Sequence, residues 1–170
     1  ASVTELGIDT ARVEGLSAYV HVPFCSVRCG YCDFNTYTNL DFGKGASASR
    51  FADTLISEIA LAHDAVAPAG PLRTVFFGGG TPTMLPASDL AAVLAALTEA
   101  FGSPEGEVTT EANPETVTLE ALETLADAGF TRFSFGMQSA VEHVLATLDR
   151  QHTPGQVAQV ARWARELGLE

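Results

Sequence analysis

The chain has 170 residues, 46% of them hydrophobic, and it carries 9 Lys and Arg against 21 Asp and Glu, which gives a formal net charge of −12. This composition suits one globular domain with a buried core. It leaves no basic surface for nucleic acid, and no run approaches the ~18 consecutive apolar residues of a membrane-spanning helix. The first residues lack the basic and apolar regions of a signal peptide, so we expect a cytoplasmic protein with reduced cysteines.

The first half of the chain predicts two strands, each followed by a helix. Residues 18–24 (AYVHVPF) form a strand-like run, and residues 49–66 place apolar side chains at helical spacing. Residues 72–77 (LRTVFF) predict a buried strand that leads into three glycines. The next helix begins at about residue 88, with Ser88 as its N-cap, and Gly102 follows its end.

The second half repeats this alternation of strand and helix. Residues 107–111 (EVTTE) predict a third strand, and residues 118–128 predict a helix that Gly129 stops. Residues 131–135 (TRFSF) predict a fourth strand. Parallel strands joined by helical crossovers follow from this order, so the predicted fold class is α/β, either a barrel or an open parallel sheet.

Two helix starts follow the fourth strand. Ser139 and Glu142 have the spacing of a capping box, in which each side chain bonds the backbone N–H group of the other residue. Thr153 and Gln156 have the same spacing, with proline at the first helical position between them. The pattern therefore predicts a helix from Ser139 and a last helix from Thr153 that Gly168 stops.

The three cysteines of the chain, Cys25, Cys29 and Cys32, all lie directly after the first predicted strand. Their odd number and close spacing argue against a disulfide framework. With His21 they would make a Cys3His zinc site, although a histidine in this strand also suits the core or the rim of a sheet. Three thiolates on a four-iron cluster would leave one iron open to a non-protein ligand, and this interpretation fits best.

Other polar and glycine-rich segments also fall at the C-terminal ends of predicted strands, where parallel α/β proteins bind ligands. They are residues 78–81 (GGGT), Glu111 and residues 136–138 (GMQ). Taken singly, the glycines suit a tight turn, Glu111 a solvated carboxylate and Arg150 a surface charge. Taken together with the cysteines, they predict a site for a chelating cofactor at one edge of the sheet.

Five motifs, in order along the chain, carry a family resemblance. CSVRCGYC resembles the CxxxCxxC signature of radical S-adenosylmethionine enzymes, and FFGGGTPT resembles the glycine motif of that superfamily. With EANP, SFGMQS and LDRQHT, the chain is similar to the group that contains oxygen-independent coproporphyrinogen III oxidases and HemW haem chaperones. The resemblance implies the N-terminal part of a (βα)6 partial barrel, with about four βα units in residues 18–170 and an extension at residues 1–17. The remaining strands and a C-terminal domain would lie outside this chain.

The resemblance also implies two cofactors and the residues that bind them. A [4Fe–4S] cluster would be ligated by Cys25, Cys29 and Cys32. S-adenosylmethionine would bind at the fourth iron, where its reductive cleavage gives a 5′-deoxyadenosyl radical. Carried over position by position, the contacts to S-adenosylmethionine would be Tyr19, Tyr31, Gly79, Gly80, Thr81, Glu111, Gln138 and Arg150.

One departure from the family pattern bears on function. The oxidases carry a further cysteine two residues after the third cysteine of the motif, whereas this chain has Phe34 there. This favours the HemW branch, which implies a protein that binds haem and delivers it to haem-requiring proteins. The alternatives are an oxidase that decarboxylates the propionates of coproporphyrinogen III, and a cluster or zinc module without S-adenosylmethionine.

The resemblance implies partners as well. They are haem, haem-receiving proteins, an electron donor such as a flavodoxin-type reductant, a membrane-associated acceptor and a second copy of the chain. The haem ligand is open among the four histidines, which are His21, His63, His143 and His152.

Overall fold

Parallel strands alternate with helices along the chain. The computed structural model describes residues 15–43, 47–66 and 71–170. The strands of this part are β1 (Leu16–Val22), β2 (Leu72–Gly79), β3 (Val108–Ala112) and β4 (Arg132–Phe135). The helices are α1 (Phe51–Val66), α2 (Ala87–Phe101), α3 (Leu119–Asp127), α4 (Glu142–Thr147) and α5 (Pro154–Glu166). The four strands form one sheet in the order β1-β2-β3-β4, all parallel, which confirms the predicted α/β class.

The core lies between the sheet and its helices. Val75 and Phe77 of β2 are 1% and 0% exposed, and the ring of Phe77 packs 5.0 Å from that of Phe130, which follows α3. Successive strand residues point to opposite faces. Tyr19 and Thr74 accordingly point away from this core and stay exposed. Among the described residues, no helix has the length and apolar character needed to cross a membrane.

The strand bounds differ from the predicted ones by one or two residues. Leu16 and Ser17, which the sequence assigned to the extension, belong to β1, while residues 1–14 lie outside the described residues. β1 ends at Val22 because Pro23 has no N–H to donate to a ladder. β2 continues into the glycines because Gly79 pairs with Val22 across the sheet.

The N-cap predicted at Ser88 is wrong. The N-cap is Pro86, two residues earlier, and the helix begins at Ala87. The Pro86 carbonyl accepts from the Asp89 N–H at 3.0 Å. Pro86 has extended backbone (φ −53°, ψ 142°), which places its carbonyl at the head of the helix without a side-chain cap. The predicted stop is confirmed, since Gly102 is the C-cap.

The capping box predicted at Ser139 and Glu142 is also wrong. Glu142 is the first residue of α4, and the N-cap is Val141, which has no side-chain oxygen to accept a bond. The Ser139 hydroxyl instead accepts from the Val141 N–H at 3.1 Å, which forms a local turn. The box at Thr153 and Gln156 is confirmed, because each residue's side chain bonds the other's backbone N–H.

We expect one ion pair, between Glu107 directly before β3 and Arg132 of β4, to make stability depend on pH. Hydrogen bonds from the Thr109 hydroxyl and from Arg132 Nη1 (3.0 Å) lower the pKa of Glu107 below its ordinary value of 4.5. A lowered folded-state pKa stabilises the fold above pH 4.5, and this contribution is lost as the pH falls through the folded-state pKa. Glu107→Gln should therefore flatten the loss of thermal stability on acidification.

Thermal unfolding between about pH 3 and pH 7 measures this effect. Arg132→Gln leaves the Thr109 bond in place and should remove only part of the pH dependence. Equal slopes for Glu107→Gln and the parent would contradict the assignment.

Candidate metal centre and cofactor cavity

A cavity of about 290 Å³ opens at the C-terminal edge of the sheet. It is bounded by the cysteine loop after β1, the glycines at the end of β2, and the segments after β3 and β4. Ten of the eleven residues that the resemblance assigns to the cluster or the cofactor line it, namely Cys25, Cys29, Tyr31, Cys32, Gly79, Gly80, Thr81, Glu111, Gln138 and Arg150. The fold thus brings together segments that are distant in sequence.

The cysteine loop is held by its own backbone. The Cys25 N–H donates to the Tyr37 carbonyl at 3.0 Å, and the Tyr37 N–H donates back to the Pro23 carbonyl at 2.8 Å. Within the loop, the Cys32 N–H donates to the Cys29 carbonyl at 2.9 Å. All three thiols are free and partly exposed, so the loop presents three sulfurs to the cavity.

The glycine segment lies directly against this loop. The Gly80 N–H donates to the Val22 carbonyl and the Thr81 N–H to the Phe24 carbonyl, both at 2.7 Å. A Cβ on Gly80 would lie 2.6 Å from the Phe24 oxygen and 3.0 Å from Cys25 Sγ. Only glycine allows the two segments to approach this closely, and the close approach holds the cysteine loop in place.

Glu111 links the glycine segment to β3. One carboxylate oxygen of Glu111 accepts from the Gly79 N–H at 3.1 Å. Gly79 has φ +112°, a left-handed conformation that glycine adopts without a steric penalty. Glu111 is therefore not the fully solvated carboxylate of the simplest interpretation, because it orients the backbone of the glycine turn.

Arg150 lines the cavity and bonds the segments that follow β3 and β4. Its Nη2 donates to Asn113 Oδ1 at 2.6 Å and to the Gly136 carbonyl at 2.8 Å. Its Nη1 lies 3.6 Å from Cys29 Sγ. The interpretation of Arg150 as a surface charge is wrong, since the guanidinium is partly buried and bonded on two sides.

Sequence reasoning missed Asn113 as an individual site residue. It lines the cavity, and its Nδ2 donates to Thr81 Oγ1 at 3.0 Å. The available signal was its position in the EANP motif, directly after the last residue of β3. An amide that both donates and accepts can join two groups of unlike chemistry.

The predicted aromatic and amide contacts lie at different depths. Tyr31 is 50% exposed at the cavity mouth, where burial raises the pKa of its hydroxyl and the charge of Arg150 opposes this rise. Gln138 also lines the cavity, with backbone at φ +61°. Tyr19 lies outside the lining, with its ring stacked 6.1 Å from that of Phe76 and its hydroxyl 3.1 Å from His21 Nδ1.

His21 is engaged by the protein itself. Its Nε2 lies 3.3 Å from the Asn35 carbonyl, which can only accept, so Nδ1 accepts from the Tyr19 hydroxyl. Within the described ranges, no three His, Cys, Asp or Glu side chains converge on the position of a single metal ion. The contacts of His21 do not support a Cys3His zinc site.

The thiol of Cys25 has a distinct environment. Burial raises its pKa, while the hydrogen bond from the Thr81 hydroxyl opposes this rise. A thiol must lose its proton to ligate a metal, and the charge of the bound metal favours that loss. Three thiols beside hydrogen-bond donors fit the ligand set of an iron–sulfur cluster.

The fold and the cavity together define a parallel α/β protein that presents three cysteines at the C-terminal edge of its sheet. Residues 19–170 match the Radical SAM superfamily. The chain belongs to this superfamily, whose members in general bind a [4Fe–4S] cluster and S-adenosylmethionine.

Individual proteins of this superfamily are similar to the chain over most of its length. The chain is 49% identical over 156 residues to a heme chaperone HemW of Mycobacterium tuberculosis, covering 91% of this chain and 40% of that protein. It is 35% identical over 158 residues to the heme chaperone HemW of Bacillus subtilis, covering 91% and 40% respectively. The structure of coproporphyrinogen III oxidase (HemN) from Escherichia coli matches with a TM-score of 0.83 at 29% identity, covering 94% of this chain and 37% of that one. The chain thus spans about two fifths of the length of these relatives.

We expect Gly80→Ala to impair the cysteine loop. The added methyl group meets backbone at Phe24 and sulfur at Cys25, and neither can move away as a flexible side chain would. Anaerobic reconstitution with iron and sulfide should therefore give markedly less bound iron per chain than in the parent.

Gly155→Ala is the matched control. Its Cβ would meet only Thr153 Oγ1, at 3.9 Å, in the first turn of α5. This substitution should leave iron binding unchanged and stabilise the helix by up to ~1 kcal/mol. If Gly80→Ala bound as much iron as the parent, the close approach at Gly80 would not be what holds the cysteine loop in place.

Proposed function

We propose that Cys25, Cys29 and Cys32 ligate a [4Fe–4S] cluster, and that S-adenosylmethionine occupies the adjoining cavity. The three sulfurs share one cavity with a carboxylate and a guanidinium, which suit the amine and the carboxylate of an amino acid. The remaining contacts in this proposal are Tyr31, Gly79, Gly80, Thr81 and Gln138, with Tyr19 beside them on β1. When bound, the cluster supplies an electron to S-adenosylmethionine, and the protein's residues hold and orient both.

We further propose that the protein is a haem chaperone of the HemW type, which acts in the cytoplasm, binds haem and passes it to haem-requiring proteins. One observation carries this choice. Phe34, which replaces the further cysteine of the oxidases, lines the cavity and is 65% exposed. An apolar ring at the mouth suits contact with a flat apolar ligand and supplies no sulfur for chemistry. The proposal includes a one-electron donor such as a flavodoxin-type reductant.

The histidine contacts narrow the candidates for a haem ligand within this chain. His152 is 3% exposed and its Nε2 donates to the Met137 carbonyl at 2.9 Å, while His21 uses both ring nitrogens. His143 is exposed on α4, and the side chain of His63 is 44% exposed on α1. His143 and His63 are the histidines that a haem iron can reach from outside.

The cluster assignment predicts that each cysteine is required. Cys25→Ala, Cys29→Ala and Cys32→Ala should each lose the broad brown absorption of the reconstituted protein, since every thiolate ligates an iron. His21→Ala should retain it, because His21 is not a ligand in this proposal. Iron and zinc analysis of the same samples distinguishes an iron–sulfur cluster from a zinc site.

A zinc site would show one zinc per chain, lost in His21→Ala as well as in the cysteine variants. That result would contradict the cluster. Bound iron with full absorption in any one of the cysteine variants would remove that cysteine from the ligand set.

The chaperone assignment predicts binding without turnover. The full-length protein, incubated anaerobically with coproporphyrinogen III, S-adenosylmethionine and a reductant, should form no protoporphyrinogen IX. A haem titration followed by absorbance should show saturable, stoichiometric binding. Phe34→Cys serves as the matched variant and should weaken haem binding about tenfold, because most of the apolar contact made by the ring is lost. Multiple turnovers by the parent would establish the oxidase instead.

A further inference from the structure

A chain of hydrogen bonds joins the two sides of the cavity through Asn113. On one side Asn113 Oδ1 lies 2.6 Å from Arg150 Nη2, and on the other its Nδ2 lies 3.0 Å from Thr81 Oγ1. Thr81 is 3% exposed, so water has little access to its hydroxyl group. Each end of the chain reaches a cysteine sulfur, because Thr81 Oγ1 is 3.8 Å from Cys25 Sγ and Arg150 Nη1 is 3.6 Å from Cys29 Sγ.

The chemistry of arginine decides the direction of every bond in this chain. A guanidinium has only donors, so the Asn113 atom that faces Arg150 must be the carbonyl oxygen. The amide nitrogen of Asn113 then faces Thr81 and donates to its hydroxyl oxygen. With that oxygen acting as acceptor, the Thr81 hydroxyl proton is left to point at Cys25 Sγ.

The same contacts fix the Arg150 guanidinium. Its Nη2 carries two hydrogens, and these are taken up by Asn113 Oδ1 and the Gly136 carbonyl. The planar group can then turn only with the loss of a bond, so Nη1 stays directed at Cys29 Sγ. Asn113 therefore aims two donors at two different sulfurs.

We infer that Asn113 is a positioning residue that sets the reduction potential of the cluster through Thr81 and Arg150. This inference rests on the proposed ligation by Cys25 and Cys29. Donors aimed at thiolate sulfurs stabilise the extra negative charge of a reduced cluster and so raise its reduction potential. Asn113 acts without contacting a sulfur itself.

The test is a redox titration of the reconstituted full chain, followed by electron paramagnetic resonance without S-adenosylmethionine. Thr81→Val keeps the shape of the side chain and removes its donor, so the midpoint potential should fall. Thr81→Ser restores a hydroxyl and should return the potential to the parental value. Asn113→Leu should lower the potential at least as far as Thr81→Val.

The double variant separates positioning from a merely structural role. Because Asn113 acts on Cys25 through Thr81, Thr81→Val combined with Asn113→Leu should shift the potential no further than Asn113→Leu alone. Additive shifts would overturn the inference. If Asn113→Leu takes up no cluster, the contrast between Thr81→Val and Thr81→Ser decides, and equal potentials in these two variants overturn it.

Thr83→Val is the matched control. Thr83 is in the same segment, but its hydroxyl pairs with that of Thr116 at 2.6 Å. Its substitution should leave the potential unchanged, and a shift as large as that of Thr81→Val would overturn the inference. A parent chain that binds no iron would instead refute the proposed cluster, and the inference with it, so iron content distinguishes the two failures.

Discussion

The backbone pairing of β1 with β2 is the constraint on which the rest of the site depends. The ladder does not stop where the strands end, because the N–H groups of Gly80 and Thr81 continue it onto the carbonyls of Val22 and Phe24. A slip of one residue would turn every side chain of β1 to the other face. Continuing the ladder past Pro23 therefore fixes where the cysteine loop starts and which way Cys25 points.

This constraint accounts for the position of the glycines. Backbone can be laid against backbone only where no Cβ intervenes, and Gly80 is such a place. The residue that follows can then carry a functional group into direct contact with the loop, as Thr81 does with Cys25. The glycine motif, which would also suit a simple tight turn, packs against the cysteine loop in this protein and holds it in place.

The electrostatics of the cavity differ from those of the chain as a whole. The net charge is −12, yet Arg150 lines the cavity. Burying a guanidinium costs free energy unless its donors are bonded. The oxygens that accept from Arg150 belong to Asn113 and Gly136 and are uncharged, so these bonds offset desolvation and leave the positive charge available to thiolates and to an anionic ligand.

The sequence alone predicts the alternation of strands and helices, the three cysteines after β1 and the glycine, acidic and amide groups at the strand ends. These features are local, because hydrophobic period, turn residues and motif spacing are all written within short segments. The predicted N-caps of two helices are wrong. Ser88 and Ser139 are residue types that favour the N-cap, but Pro86 and Val141 occupy these positions. Two contacts are visible only in the folded protein. Arg150 reaches Cys29 across 121 residues of sequence, and Asn113 joins Arg150 to Thr81. These contacts depend on the register between strands and on the path of the chain after β4, and no local pattern encodes either.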